Sequence, residues 1–562
     1  MINRFPSLLL LLLTLCFASA TSHAQTPSIA ADGIRNGASY TVAGLPNSGI
    51  AQGSIFVIFG DNLGPANIVQ VSAFPLPTTA GLAGTSVRVT VGNTVVNAIM
   101  LYTLKTQVAA VLPSNTPLGT GAVTVTYNGV TSNAAPLIVL AGSFGTFTRN
   151  QGGTGPSIIQ NFVSEANQPF NTLVESARPG QVVTLWGTGL GPVTGNEAGQ
   201  PLPGNLDNVN ARLFIGGRET PITYRGRSGC CVGIDQIVFT VPQGVSGCFA
   251  PVSLQVGNVV SNFTTMSVAP TGGTCSDPGS YTPAELALAR NNGGLRIGST
   301  TLSKSSASLS IPGVGSFDIK SDAGGAVFFR YTFDQLLAST SDLSVSNPGA
   351  CAVSVSRVGG TGGNTGPVFT GLNAGPTINV SGPTGAKQIN VAPNLPGTYA
   401  GVLSQSVPFG AAEPDYLVPG TYTINNGGGG SDVGAFTVNQ VVPPGTVWSN
   451  QASISTVNRA AGQLVTWTGG DPSGFTYIAG TSINLSNTAQ ATFVCLERTS
   501  VGSFTIPSAI LLALPPSGST AGVPGGLMFV GAYVNPSRFT APGLDFGYTT
   551  YISTVAKTVS FQ

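Results

Sequence analysis

Six cysteines carry the most specific chemistry in this sequence: Cys230, Cys231, Cys248, Cys275, Cys351 and Cys495. A seventh, Cys16, lies in an apolar stretch near the start. An even set in an oxidising compartment forms disulfides. Four of the six fall between positions 230 and 275, which predicts two bridges there. One should join the adjacent pair, Cys230/Cys231, to Cys248, and the other should tie the remaining member to Cys275. Cys351 and Cys495 are then left to pair across the C-terminal half. A vicinal Cys230–Cys231 bridge is the alternative within the cluster. A thiolate metal site is disfavoured, because C-x-x-C spacing and supporting histidines are both missing.

The single histidine, His23, falls in a segment read below as a leader. Its removal would exclude Ser-His-Asp and Cys-His catalysis and His-ligated zinc. Glycoside hydrolysis needs only two carboxylates and stays open. Asp318, Asp334, Glu413, Asp415, Asp432, Asp471 and Glu497 supply them in the C-terminal half; they read as solvated loop and strand-end groups. Residues 206–210 (LDNVN) offer oxygen atoms for calcium but lack an acidic partner at loop spacing, and read as a turn. Residues 427–432 (GGGGSD) lack the Lys-Ser/Thr and the following helix of a nucleotide loop, and read as a hairpin loop. No catalytic residue, cofactor or metal ligand is therefore assigned. Trp448, Tyr416, Phe475 and Tyr477 lie near loops of the last half and are the candidates for stacking on sugars or anchoring a protein partner. Core packing is their competing role. Arg225 and Arg227, beside the cysteine pair, offer a polar recognition edge, with plain solvation as the alternative.

The composition limits what these groups can do. Charged residues make up only 7% of 562 residues, with 76 Gly, 40 Pro and a net charge of +1. No basic stripe suggests nucleic acid, and steering by net charge is weak. At 42% hydrophobic residues the chain can bury cores, in many short strands joined by Gly/Pro turns. Arg4, the apolar stretch 8–18 and the Ser22-His23-Ala24 site read as a secretory signal over 1–24. No later apolar run is long enough for a membrane span; 509–514 is far too short. The expectation is a secreted or cell-surface protein whose partner is an extracellular protein or a polysaccharide.

The elements that must position these groups are read from a repeat. Residues 53–65 (GSIFVIFGDNLGP) return as 180–192 (GQVVTLWGTGLGP), with Trp186 at the position of Phe59. Both copies continue to Pro-Leu-Pro (75–77 and 201–203), to a strand ending in Gly (87–92 and 211–216), to a Gln-to-Pro strand (107–113 and 236–242) and to Ser-Asn (132–133 and 261–262). Short strands at this spacing predict an all-β fold of tandem immunoglobulin-like sandwiches over 25–142 and 156–275. Asn128-Gly129 is a two-residue hairpin turn. The insertion 225–234 carries the cysteine pair and sets the second copy apart. One short helix is expected near 283–292, from the Thr282 cap, Pro283 and Glu285. A β-rich domain over 276–440 and a C-terminal sandwich over 441–562, divided at Pro443-Pro444, complete the plan. Trp467 is expected in the core of the last.

These motifs resemble the IPT/TIG group of immunoglobulin-like domains. More closely they are similar to secreted acidobacterial proteins with the Solibacter-type uncharacterised domain. The Gly-Ser-x-Val-x-x-Phe-Gly-x-Asn-Leu-Gly-Pro pattern, Pro-Leu-Pro and terminal Ser-Asn carry the likeness over about 26–275. The resemblance implies a secreted β-sandwich and transfers no catalytic residue. Three functions remain in view. The first is a non-enzymatic structural, adhesive or binding protein; the second is a carbohydrate-binding array; the third is a divergent glycosidase in 276–562.

Overall fold

The computed structural model describes residues 26–277, 279–311, 315–339, 347–357, 369–407, 413–484, 486, 489–520 and 523–562. The expected leader, with Cys16 and His23, and the glycine-rich loop 359–366 lie outside them. The fold is all-β, and its first two units are immunoglobulin-like sandwiches. In the first, strand Ile55–Asp61 lies between Ser28–Asn36 and Gln107–Val111 in one sheet, and Gly119–Tyr127 lies between Ala135–Leu140 and Thr85–Val91 in the other. Phe56, Ile58, Val87, Val89, Val108 and Val123 meet between the sheets. Asn128 and Gly129 both take positive φ, 48° and 81°, and turn the chain between Tyr127 and Val130, as a two-residue hairpin requires.

The repeat is visible in the register. Phe59 pairs with Gln107 in the first unit and Trp186 with Gln236 in the second. The two Ser-Asn motifs do the same work twice. Ser132 Oγ accepts the Val125 N–H, and Ser261 Oγ accepts the Leu254 N–H. Asn133 exchanges two hydrogen bonds with the backbone of Ile29, and Asn262 does so with Thr146. Each asparagine thus ties the last part of its sandwich to its first strand, which satisfies backbone groups that the ladders leave open.

The third unit differs from the expected division at 440/441. Strand Gly294–Ile311 pairs antiparallel with Gly315–Thr332 and parallel with Phe546–Phe561. Ala350–Arg357 pairs with Ala489–Arg498. Strands from both expected domains therefore share one 15-stranded sheet, with four strands of 441–562 lying between Ala350–Arg357 and the other strands of 276–440. The serine-rich strand Gly294–Ile311 is central in this sheet. Pro443 and Pro444 merely end the strand Thr437–Val442 and turn the chain.

Helix Pro283–Asn291 forms where expected, and Thr282 and Glu285 make the reciprocal capping box. Two shorter helices, Phe333–Ala338 and Ser508–Leu512, were not foreseen. The first carries its own capping box at Thr332 and Gln335. The second uses the apolar stretch 509–514 to cover a core rather than a membrane: Ala509, Ile510 and Leu511 are buried. No described helix is long and apolar enough to cross a membrane.

Candidate functional site: the cleft between the sandwiches

Two of the four aromatic candidates are core residues. Trp448 is 5% exposed and Tyr416 3%. Each also has its polar tip satisfied, as buried rings require: Trp448 Nε1 donates to Asn450 Oδ1, and the Tyr416 hydroxyl donates to the Val380 or Gly385 carbonyl. Phe475 is half-buried beneath the Arg498 guanidinium. Tyr477 is half-buried, and burial raises its hydroxyl pKa. The four do not form one surface, because strand alternation turns Trp448 inward and the loop before Gly420–Asn425 folds Tyr416 into the core. Trp467 lies in the core, as expected.

The carboxylates of the C-terminal half hold the fold. Asp415 pairs with Lys304 at 2.8 Å, and that contact lowers its pKa. Asp322, buried beside it, reaches the same Lys304 at 3.6 Å and accepts the Leu417 N–H. Asp432 accepts the Asn373 N–H, Asp471 the Ser473 N–H, Glu413 the Gln405 N–H and Glu497 the Arg498 N–H. Asp318 accepts the Ser308 hydroxyl, and Asp334 sits in the first turn of the helix Phe333–Ala338. Asp207 accepts from Asn205 within its turn. Among the described residues no group of three or more His, Cys, Asp or Glu could hold a metal.

The cysteines form three disulfides, with a correction to the pairing in the second unit. Cys230 bonds Cys231, Cys248 bonds Cys275, and Cys351 bonds Cys495. Cys248 opens the strand Gly247–Val256 and packs with Tyr281 and Leu286 toward the third unit. The Cys230 loop faces the first unit instead, so a bridge between Cys230/Cys231 and Cys248 would have to cross the sandwich.

The insertion 225–234 hides a buried ion pair. Arg227 and Asp235 are 2% and 0% exposed, with Nη1 and Oδ1 2.8 Å apart. Asp235 Oδ2 accepts the N–H groups of Gly189 and Leu190 at 2.7 and 2.8 Å. Arg227 Nη2 donates to the Gly191 carbonyl. In the first unit the matching Leu63 N–H bonds the Lys105 carbonyl instead, so a side chain replaces a backbone acceptor where the insertion breaks the repeat. Arg225 donates to the Leu206 and Asp207 carbonyls. Neither arginine forms the polar edge that sequence suggested.

Burial pushes the Asp235 carboxyl up to about 6, against the opposing pull of Arg227, Leu190 and Gly189. A folded value above the unfolded one means that the native state holds the proton more tightly. The resulting stabilisation is full below the unfolded pKa of about 3.8 and is lost as pH rises through about 6. Unfolding free energies of wild type and Asp235→Asn should therefore diverge with pH between about 4 and 7. The wild type should lose stability relative to the variant as pH rises; a constant difference would count against a raised value.

The principal cleft lies elsewhere in the same interface. Strand Ile55–Asp61 sends Phe56 and Ile58 to the core, so Ile55, Val57 and Phe59 face outward. In the second unit Val183 and Leu185 are core, and Thr184 and Trp186 face outward. The Ile55–Val57 face and the Trp186 face flank an open cleft of about 660 Å³. Tyr40, Tyr102 and Val57 line one wall, and Phe147, Phe170 and Trp186 the other. An adjoining hollow of about 540 Å³ shares Tyr40, Tyr102 and Gln151 and adds Phe59, Asn150 and Gln107.

Polar groups are fixed around these rings. Trp186 Nε1 donates to Gln160 Oε1 at 2.9 Å, and Gln107 Nε2 donates to the Tyr102 hydroxyl at 2.6 Å. Burial, with Tyr40 adding to it, pushes the Tyr102 hydroxyl up to about 12, so it stays a neutral donor. Arg149 Nε is buried without a hydrogen-bond partner. Asp32, Tyr40 and Gln151 hold φ of 58°, 51° and 54°, a left-handed backbone that costs L-residues about 1–2 kcal/mol each. All three line the cleft or its adjoining hollow.

Such an arrangement can stack rings and exchange hydrogen bonds with an uncharged ligand. The sequence signal for it was present but unread. SIFVIF is apolar on both faces of its strand, and Phe59 and Trp186 occupy equivalent positions.

No family model matches the chain, and no curated protein matches it. Among solved structures, domains 5-6 of the S-layer protein SbsC match at 11% identity, covering 44% of this chain and 99% of that one, with a TM-score of 0.15. The Bacteroides ovatus mixed-linkage glucan utilization locus protein SGBP-B, in complex with a mixed-linkage heptasaccharide, matches at 11% over 81% and 93%, with a TM-score of 0.13. The I9-I11 tandem from titin matches at 9% over 69% and 92%, with a TM-score of 0.12. At TM-scores this low the likenesses carry no argument about this chain.

Proposed function

We propose that this is a secreted or cell-surface, non-enzymatic protein in which tandem IPT/TIG-like sandwiches of the acidobacterial Solibacter type serve a binding or adhesive role. The observation that carries the reading is the aromatic cleft between the two repeats. It is built from outward sheet faces, half-exposed rings and side-chain amides, and a binding surface needs no more. Three disulfides support an oxidising, extracellular setting. The carboxylates of the 276–562 half singled out in sequence, all but Asp334 bonded to a neighbouring group, favour this reading over a glycosidase. The test is to express the full chain and recover it from the medium. The denatured, unreduced protein should then show no thiol reactive to a colorimetric titrant. Retention in the cytosol with free thiols overturns the secreted reading. Polysaccharide hydrolysis that is abolished by substitution of one carboxylate overturns the non-enzymatic one.

A further inference from the structure

We infer that the cleft between the sandwiches binds a neutral polysaccharide chain, stacked on Trp186 and Tyr40 and running outward along Phe170 and Phe162. The inference rests on the binding role proposed above and gives it a ligand class. Three features of the cleft select that class. Its rings are only half-buried, although neighbouring core rings such as Phe56 are fully buried. A half-exposed ring offers a flat apolar face, suited to the C–H face of a sugar. The polar groups beside the rings are the amides of Gln107, Gln151 and Gln160 and the orphan Arg149 Nε. Hydroxyl groups can both donate to and accept from such a set. The one carboxylate near the rings, Asp32, is already bonded to Arg35 and to the Ala43 N–H, so the one charged group left open in the lining is Arg149, whose Nε–H can donate to a sugar hydroxyl.

A polypeptide fits less well. Peptides added to sheets pair with an exposed strand edge. The strands lining this cleft, Ile55–Asp61 and Val182–Thr188, each have ladder partners on both sides. Their backbone groups are spent, and the outer side of Ile159–Asn161 is taken by the 169–171 segment; the end strand Ser28–Asn36 borders the adjoining hollow rather than the row of rings.

The direction of the chain follows from the strand pleat. Gln160 and Phe162 share one face, as do Trp186, Thr184 and Val182 on the paired strand. That face leaves the cleft at Trp186 and Gln160 and continues to Phe162 and Val182, 43% and 40% exposed. Phe170, 48% exposed, bridges to Gln160 beside it. Apolar side chains in a row from an open cleft onto the neighbouring surface suit an extended polymer better than a compact ligand. The left-handed backbone at Tyr40 and Gln151 fits a site whose geometry is held in place at some energetic cost.

The experiment uses purified full chain against a panel of neutral glycans: mixed-linkage β-glucan, cellulose, xylan, mannan and amylose. Trp448 and Trp467 are buried, so Trp186 is the solvent-reporting fluorophore of the three. At least one glycan should blue-shift the emission, and Trp186→Phe should remove the shift. Trp186→Ala and the exposed-site variant Phe170→Ala should weaken binding about tenfold, while Val447→Ala, exposed on the third unit, should not. Phe170→Ala keeps the test valid if Trp186→Ala fails to fold. Retention of no glycan overturns the inference. So does glycan binding unchanged by Trp186→Phe and Phe170→Ala, although that result leaves the broader binding role standing. Saturable binding of a neutral apolar peptide, lost in Phe170→Ala, assigns the site to a protein partner and overturns it as well.

Discussion

Asp235→Ala is expected to destabilise the second sandwich by about 3–5 kcal/mol, the cost of leaving a buried charge without its partner. Asp235 is fully buried and holds two backbone donors, the Gly189 and Leu190 N–H groups, and one charge partner, Arg227. Alanine satisfies none of them. The arginine cannot swing into solvent, because Gly53 of the first unit packs against it. A Cβ at Gly53 would stand 2.5 Å from Arg227 Nη2, and Gly53 also holds φ of 70°. Arg227→Met should cost less, since Asp235 keeps its two backbone donors. The double variant Arg227→Met/Asp235→Ala should be more stable than Asp235→Ala alone, because the uncompensated cation is gone. Hydrogen exchange gives the local readout: the Gly189 and Leu190 amides should lose protection in Asp235→Ala and keep it in Arg227→Met. A loss below about 1 kcal/mol with both amides still protected would refute this account.

The same interface shows why some of the protein was readable before its structure and some was not. The repeat declared itself through residues with local duties. Gly-Pro ends a strand, Asn128-Gly129 turns one, and Ser-Asn closes each sandwich by bonds within its own unit. Local duties leave local spacing, so strand positions and the Thr282 cap were legible. Arg227 and Asp235 were not, because burial there depends on what the first unit places over the insertion. The cleft was missed for the same reason. Period-two patterning shows that Ile55, Val57 and Phe59 share a face, but not that a second sandwich lies across from them. Trp448 and Tyr416 misled because loop-like surroundings in sequence were taken for exposure.

The third unit makes the point at larger scale. Strand Gly294–Ile311 pairs in parallel with Phe546–Phe561, a contact between segments some 250 positions apart that no local pattern encodes. Its sequence is rich in Ser and Thr, and it has neighbours on both sides. Sheet order in such a unit is set by long-range burial, which outweighs strand propensity.

Long-range order of this kind needs a constraint, and one disulfide supplies it. Cys351→Ala/Cys495→Ala should destabilise the third unit by about 3–5 kcal/mol. The bridge spans 144 positions in sequence, and its two cysteines are direct cross-strand partners on Ala350–Arg357 and Ala489–Arg498. Ala350–Arg357 is the end strand of the sheet and pairs there only with Ala489–Arg498, so few other contacts hold its register. Cross-linking so long a loop removes much of the entropy of the unfolded chain, and the gain grows with loop length. Both sulfurs lie in the core that contains Trp448 and Trp467, so tryptophan emission reports on the same unit. Denaturant unfolding followed by that signal should shift to lower midpoint in the double variant. Reductant should leave the Cys351–Cys495 bridge of the folded wild type intact, since its cysteines are 5% and 0% exposed, while the Cys230–Cys231 pair, with Cys230 exposed, is open to it. Proteolysis within 347–357 should appear in the variant and not in the parent. If the midpoint stays in place and the strand stays protected, sheet packing alone holds this edge, and the bridge is dispensable for stability.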